Sequence, residues 1–221
     1  MFVGLGYAYR GSSYTGVPKF IELVATTDIE DLSRYRIYGY QNGSTSSVYN
    51  YNSLSGSVKK GQKILLYYDY WQFYYFFNTY PTTASGYAKV FDVGNTLRYG
   101  MQGGNDVFEI VHRDADGNTG WNGNTDVVDV VGVRGEDGTG KDWEYSRGWL
   151  KRKNNKLSSK SFKIGDWTAC NDCFGTASTN SASSTPYALN AYSTTQSENG
   201  STTASLTLKN LSYDEYHGAQ V

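Results

Sequence analysis

The chain has 221 residues, enough for one large or two small domains with a buried core. Its net charge is −1 and its pI is about 6.1, so it has no charge excess that would attract nucleic acid or an anionic membrane. Tyr and Gly are abundant, with 21 and 25 copies, which favours twisted sheets and turns over helices.

Strands are predicted wherever aromatic and β-branched residues form short runs between turn residues. Asn42-Gly43 predicts a tight turn after the second run. No segment combines apolar residues at helical spacing with capping residues at both ends, so little helix is predicted. In chain order, the predicted strands are residues 20–24, 35–40, 62–70, 107–112, 127–133, 149–153 and 205–211.

Many short strands separated by turn residues predict an all-β fold, either a sandwich or a barrel. Two long polar stretches, residues 114–126 and 176–203, interrupt the strands and predict loop insertions. No internal repeat is visible. No run approaches the roughly 18–20 apolar residues that a membrane-spanning helix needs.

Several strand blocks, read in order, match a known pattern. Residues 20–24 read FIELV, residues 31–37 read DLSRYRI, and residues 104–111 read GNDVFEIV. Residues 127–133 read VVDVVGV and are followed by GEDGTG at residues 135–140. On these residues the sequence resembles the lamin tail domain family, in particular its bacterial and extracellular branch.

The resemblance implies an immunoglobulin-like β-sandwich with long loop insertions, and it implies no reaction. It covers residues 19–175, which are therefore predicted to form the sandwich. Residues 1–18 are predicted to be an N-terminal extension without the features of a signal peptide. Residues 176–221 are predicted to be a Ser/Thr-rich segment that ends in a strand. Arg34 stands where the family often has Gly, which is a departure from its pattern.

The chain is predicted not to be an enzyme. Its two histidines, His112 and His217, lie outside the motifs of hydrolases and metalloenzymes. The Gly-rich pairs at residues 4–6 and 138–140 lack the following helix of a nucleotide site. Asp114, Asp116 and His112 would be the residues to test if a reaction were found.

Cys170 and Cys173 are the only cysteines and form a C-x-x-C pair. Two thiols without a neighbouring His cannot supply the four ligands of a structural zinc site. A small disulfide that closes a turn is predicted, which would suit an oxidising compartment. Free thiols are the alternative.

Asp114, Asp116 and Asn118 place oxygen ligands at alternate positions, as the start of a calcium loop does, and Asp126 could close the set. The complete EF-hand pattern fails because Thr119 occupies the position of the invariant Gly. Asp, Asn and Gly are also ordinary turn residues, and a plain loop is the favoured interpretation. Calcium is the one candidate cofactor.

Aromatic residues fill almost every position from 67 to 77, so both faces of a strand there would be aromatic. One interpretation is a central strand covered on both faces. The other is an exposed contact surface for a protein, in particular a second copy, or for a glycan through ring stacking. The predicted contact residues are Tyr68, Tyr70, Trp71, Tyr74, Tyr75 and Phe76.

A basic cluster lies between residues 151 and 163. It could contact phosphates, but in a nearly neutral chain a solvated edge strand is the favoured interpretation, so a nucleic-acid partner is not predicted. The leading prediction is a secreted or cell-surface structural or adhesive module that binds protein, as a self-assembling surface or fibre subunit. The alternative is an accessory substrate-targeting domain of a secreted enzyme such as a nuclease.

Overall fold

The computed structural model describes residues 1–8, 18–45, 48–113 and 127–194. These residues form ten strands and two short helices, together with a few single 3-10 turns. The elements are β1 (Phe2–Tyr7), β2 (Lys19–Val24), β3 (Tyr35–Tyr40), β4 (Val48–Tyr51), β5 (Lys63–Tyr68), α1 (Tyr70–Phe77), β6 (Tyr87–Asp92), α2 (Gly94–Gly100), β7 (Val107–His112), β8 (Val127–Val131), β9 (Gly148–Arg152) and β10 (Trp167–Cys170).

The strands form two sheets. The larger sheet has the order β10-β9-β1-β2-β5-β6, and the smaller has the order β4-β3-β7-β8. All pairs are antiparallel except β5 with β6, which run parallel. The all-β prediction is thus confirmed at the level of a β-rich fold with two sheets.

One core lies between the two sheets. Alternate residues of the larger sheet, such as Leu5, Ile21 and Leu66, form a continuous buried cluster with Phe108 and Ile110 of the smaller sheet. This period of two is what a strand requires when one of its faces packs on another layer. Burial of each such side chain contributes about 1.5–3 kcal/mol of transfer free energy, so this core is the main source of stability.

The other face of the larger sheet is covered as well. Phe20, Leu65 and Trp149 point away from the first core and pack with α1 and with residues 173–189 in a second buried cluster. The larger sheet is therefore a central layer. Because α1 packs on this face of the sheet, only the side chains on the opposite side of the helix can reach the solvent.

The first strand lies inside the larger sheet, where β1 pairs with β2 on one side and β9 on the other. The prediction that residues 1–18 form an extension is therefore wrong for residues 1–8. Gly4 and Gly6 hid this strand in the sequence, but both are needed. A Cβ at Gly6 would lie 2.1 Å from the Phe20 ring, and one at Gly4 would lie 1.7 Å from the Tyr187 hydroxyl.

The segment after residue 175 is also part of the folded unit over the part that is described. Tyr187 and Tyr192 are buried, and the Tyr187 hydroxyl donates a hydrogen bond to the buried carboxylate of Glu22. The backbone amide of Asn190 donates to the same carboxylate at 2.7 Å. Residues 176–194 therefore do not form the separate segment that the sequence predicts. The predicted strand at residues 205–211 lies outside the described residues.

Lys19 is a cation at the buried start of β2. Its side chain is 1% exposed, and its Nζ donates to the carbonyl oxygen of Arg98 at 2.7 Å. Burial lowers the pKa of Lys19 to about 8, although the negative charge of Asp106 opposes this effect. The folded chain therefore binds the Lys19 proton less tightly than the unfolded chain does.

This pKa difference predicts a pH dependence. A lowered lysine pKa stabilises the fold at high pH, and the contribution is lost as the pH falls through about 8. We expect the Lys19 contribution, measured as the difference in free energy of unfolding between the wild type and Lys19→Met, to rise by about 2 kcal/mol between pH 7.5 and 9.5. Asp106, whose pKa burial raises to about 6, titrates below this range. Urea denaturation of the wild type and Lys19→Met checks the prediction, which fails if both show the same slope.

Candidate functional site

A change from strand to helix creates the candidate site. Strand β5 ends at Tyr68, and Asp69 follows with φ 64°, a conformation that breaks the strand. The Asp69 carboxylate then accepts a hydrogen bond from the amide of Gln72 at 3.1 Å, as a helix N-cap does. The eight residues of α1 follow, and Asn78 ends the helix in the left-handed conformation. The predicted strand through residue 70 is therefore wrong from Asp69 onward.

One face of α1 anchors the helix on the larger sheet. Phe73 and Phe76 are 0% and 4% exposed. The Phe73 ring packs edge-on against Phe20 of β2 with a centroid separation of 6.4 Å, and Phe76 packs edge-on against Phe174 at 4.9 Å. Residues three apart lie on the same side of a helix, so both rings enter the second buried cluster.

The opposite face of α1 presents its rings to solvent. Trp71 and Tyr75 are 55% and 59% exposed, and their rings are nearly parallel with centroids 6.2 Å apart. Tyr74 stacks on Tyr80, which follows the helix, with centroids 4.1 Å apart and planes 10° apart. Tyr70 stacks on the same Tyr80 ring at 5.6 Å. We call Tyr70, Trp71, Tyr74, Tyr75 and Tyr80 the aromatic surface.

The aromatic surface carries no charge. Residues 70–88 contain no Asp, Glu, Lys, Arg or His. A hydrogen bond with the Tyr74 hydroxyl raises the pKa of Tyr80 above its ordinary value. The Tyr80 phenol therefore stays neutral at physiological pH, and the nearest ionisable side chain along the chain is Asp69, whose carboxylate caps α1.

The predicted contact residues divide between the two faces. Trp71, Tyr74 and Tyr75 belong to the aromatic surface, and Tyr70 joins it through Tyr80 while it also packs, partly buried, against the second cluster. Tyr68 packs against the core between the sheets, and Phe76 enters the second cluster. The helical register of α1 turns Phe76 inward. Tyr80 was missed. The segregation of Phe at 73, 76 and 77 from Trp and Tyr at 71, 74 and 75 was the available helical signal.

The two cysteines lie at the end of β10 and in the turn that follows. Both are free thiols, with Cys170 partly exposed and Cys173 buried. The Cys173 thiol donates to the carbonyl oxygen of Cys170 at 3.1 Å, and burial raises the pKa of Cys173. A raised thiol pKa makes Cys173 a poor nucleophile at neutral pH. The disulfide stays a prediction.

The predicted calcium ligands Asp114, Asp116, Asn118 and Asp126 lie outside the described residues, and calcium binding there stays a prediction. In residues 1–8, 18–45, 48–113 and 127–194, no group of three or more His, Cys, Asp or Glu side chains is placed to hold a metal ion. His112 ends β7, and its ring packs edge-on against Tyr35 at 4.9 Å.

Three residues of the basic cluster make internal contacts. Arg152 is 2% exposed, and its Nη2 donates to both carboxylate oxygens of Asp129, at 2.9 and 2.7 Å. Lys156 pairs with Asp166 at 3.1 Å, and Lys153 donates to the carbonyl oxygen of Gly165. The Asp129–Arg152 pair could not be predicted from local patterns because its partners are separated by 23 residues. A polyanion surface receives little support from these side chains.

Comparison with known proteins finds no family model and no curated protein sequence that matches the chain. The resemblance to the lamin tail domain family therefore remains an expectation from sequence. None of the helices in the described part of the chain is long and apolar enough to cross a membrane.

Proposed function

We propose that this chain is a non-catalytic adhesive module that acts outside the cell, and that the aromatic surface is its binding surface. The observation that carries the proposal is the outward display of Trp71 and Tyr75, each more than half exposed, on a helix whose other face is anchored in a buried cluster. Exposed aromatic patches on folded proteins mark sites of interaction. Trp and Tyr are also enriched among the residues that dominate binding.

The chemistry of the surface favours binding over catalysis. A general acid, a general base or a nucleophile requires a titratable or activated side chain. Residues 70–88 contain no carboxylate, imidazole, amine or thiol side chain, so their tyrosine phenols and Ser/Thr hydroxyls have no base within the segment to activate them. Stacked rings hold a ligand through dispersion and hydrophobic contact, so this surface retains a partner without changing it.

The scaffold in this proposal is an immunoglobulin-like β-sandwich of the lamin tail type. Two sheets that share one core support a sandwich. The blocks that carry the resemblance include β2, β3, β7 and β8, which all contribute to that core. The extracellular location rests on composition, since charged residues are 19% of the chain, below the roughly 25% of typical soluble domains.

The proposal predicts that attachment depends on the exposed rings. Trp71→Ala/Tyr75→Ala is expected to abolish whichever attachment the wild type shows, either concentration-dependent association in light scattering or retention on beads that carry the same chain or a polysaccharide. The matched control is Tyr99→Ala/Leu157→Ala, which removes two exposed apolar side chains elsewhere, 38% and 66% exposed. Equal behaviour of the wild type and the Trp71/Tyr75 variant in all of these assays would contradict the proposed function.

A further inference from the structure

The exposed rings of the aromatic surface offer a limited contact area. Aromatic side chains have about 150–250 Å² each, so the exposed fractions of Trp71, Tyr75 and Tyr80, 55%, 59% and 37%, correspond to about 400 Å² or less. A stable protein–protein interface buries about 800 Å² on each partner. The rings therefore cover about half of what a second copy of the chain needs, and a narrower ligand fits them better.

The electrostatics of the surface select the charge of that ligand. Proteins recognise anionic and cationic partners through complementary charges, and Arg and Lys are the usual contacts for phosphate or carboxylate groups. Residues 70–88 have neither sign of charge, and the neighbouring Asp69 carboxylate is engaged with the Gln72 amide as the cap of α1. The pKa of the Tyr80 phenol is raised above its ordinary value by its hydrogen bond with Tyr74, which keeps that phenol neutral. An uncharged ligand loses no ionic hydration when it binds there, whereas a charged ligand would lose hydration without compensation.

The rings also fit a ligand with two kinds of surface. An aromatic face carries negative partial charge, and it attracts the weakly positive C–H groups that cover one face of a sugar ring. The sugar's hydroxyls lie around its edge, where Tyr hydroxyls and the amides of Gln72 and Asn78 can exchange hydrogen bonds with them. Gln72 is half-buried and Asn78 is exposed at the end of α1.

We infer that the aromatic surface binds an uncharged polysaccharide, with sugar rings stacked on Trp71 and Tyr75. This inference rests on the proposed adhesive function and names the partner class of that surface. The nearly parallel Trp71 and Tyr75 rings form the platform. The Tyr70–Tyr80–Tyr74 stack supports its border. Phe73 and Phe76 fix the platform on the sheet, so the platform loses little conformational entropy when a ligand binds.

Affinity electrophoresis tests the inference. The chain is run in native gels that contain hydroxyethyl cellulose, laminarin or galactomannan as neutral probes, and polygalacturonate as the anionic probe. We expect retardation by at least one neutral probe and none by polygalacturonate. Trp71→Ala and Tyr75→Ala are each expected to weaken binding by roughly tenfold, as loss of one stacking contact predicts. Tyr99→Ala/Leu157→Ala is expected to bind like the wild type.

The outcomes separate the inference from the proposed function. Retardation only by polygalacturonate, or retardation that Trp71→Ala leaves unchanged, overturns the polysaccharide inference. Absence of retardation with Trp71-dependent self-association in light scattering also overturns it, while the adhesive function stands with a second copy as the partner. Absence of both retardation and self-association overturns the two together. Circular dichroism of each variant establishes that the rings were removed from a folded chain.

Discussion

Replacing Asp129 with Ala is expected to lower the free energy of unfolding by about 3–5 kcal/mol, because it leaves the buried guanidinium of Arg152 without its counter-ion. The Asp129 carboxylate is 1% exposed. Besides the two bonds from Arg152, it accepts hydrogen bonds from the amides of Phe2 and Ser159, at 2.8 and 2.9 Å. The substitution therefore removes the partner of a buried charge and of two backbone donors.

Arg152 cannot turn outward to compensate. Its Nε donates to the carbonyl oxygen of Phe2 and its Nη1 to that of Leu157, each at 2.7 Å, and its guanidinium lies 4.3 Å from the Trp167 ring centroid. The double variant Asp129→Ala/Arg152→Met removes the stranded charge and keeps an apolar chain against Trp167. We therefore expect it to be more stable than Asp129→Ala alone.

Urea denaturation of the single and double variants measures both effects. The matched surface control is Asp28→Ala, which removes an ion pair with Lys59 whose side chains are 54% and 66% exposed. We expect that control to leave the free energy of unfolding nearly unchanged, because solvent screens exposed ion pairs. An Asp129→Ala variant as stable as Asp28→Ala would show that the Arg152 charge is not buried as described.

Phe73→Ala is expected to cost about 3–5 kcal/mol, the usual cost of truncating a buried Phe. The side chain is fully buried and touches Phe20, Tyr67 and Phe77. The cavity would lie directly beneath α1. The substitution therefore lowers the free energy of unfolding and also weakens the attachment of the helix to the sheet. We expect binding through the aromatic surface to weaken, although Phe73 itself is not exposed.

The control for Phe73→Ala is Tyr75→Ala two residues along the same helix. Both changes introduce Ala, so they alter intrinsic helix propensity in the same direction. Tyr75 is 59% exposed, and its removal is expected to change stability by no more than about 0.5 kcal/mol while it weakens binding. Thermal unfolding of the pair tests this contrast. Equal losses of stability in the two variants would contradict the orientation of α1.

The strands that form short runs of apolar and β-branched residues were predictable because their pattern is local. The predicted strand at residues 107–112 is β7, and that at residues 20–24 differs from β2 by one residue. In both, β-branched and aromatic side chains occupy a pleated surface that is buried. The turn at Asn42-Gly43 was predictable for the same reason, since both residues adopt positive φ, 47° and 72°.

Long-range packing decided the elements that were missed. The aromatic run of α1 has high strand propensity, and the Asp69 cap and the burial of Phe73 and Phe76 against the sheet override it. Strand β1 contains two glycines that lower strand propensity but allow Phe20 and Tyr187 to cross it closely. The parallel pairing of β5 with β6 follows from the α1 connection, which the sequence did not predict.

Most of the aromatic surface was predictable from composition, but its orientation was not. A run of Tyr, Trp and Phe indicates either a buried layer or a contact surface. Only the helical register separates Trp71 and Tyr75 from Phe73 and Phe76, and that register depends on where β5 ends. Tyr80 joins the surface from the turn after α1, so helical periodicity could not predict its position.

Acrylamide quenching of tryptophan fluorescence, with and without the neutral polysaccharide that retards the chain most, tests the central claim most directly. Among the four tryptophans in the described residues, Trp71 alone is exposed. We predict that the wild type is quenched more strongly than Trp71→Phe, and that the polysaccharide lowers quenching of the wild type toward that of the variant. Equal quenching of the two proteins, or quenching that the polysaccharide leaves unchanged, would contradict a binding surface at Trp71.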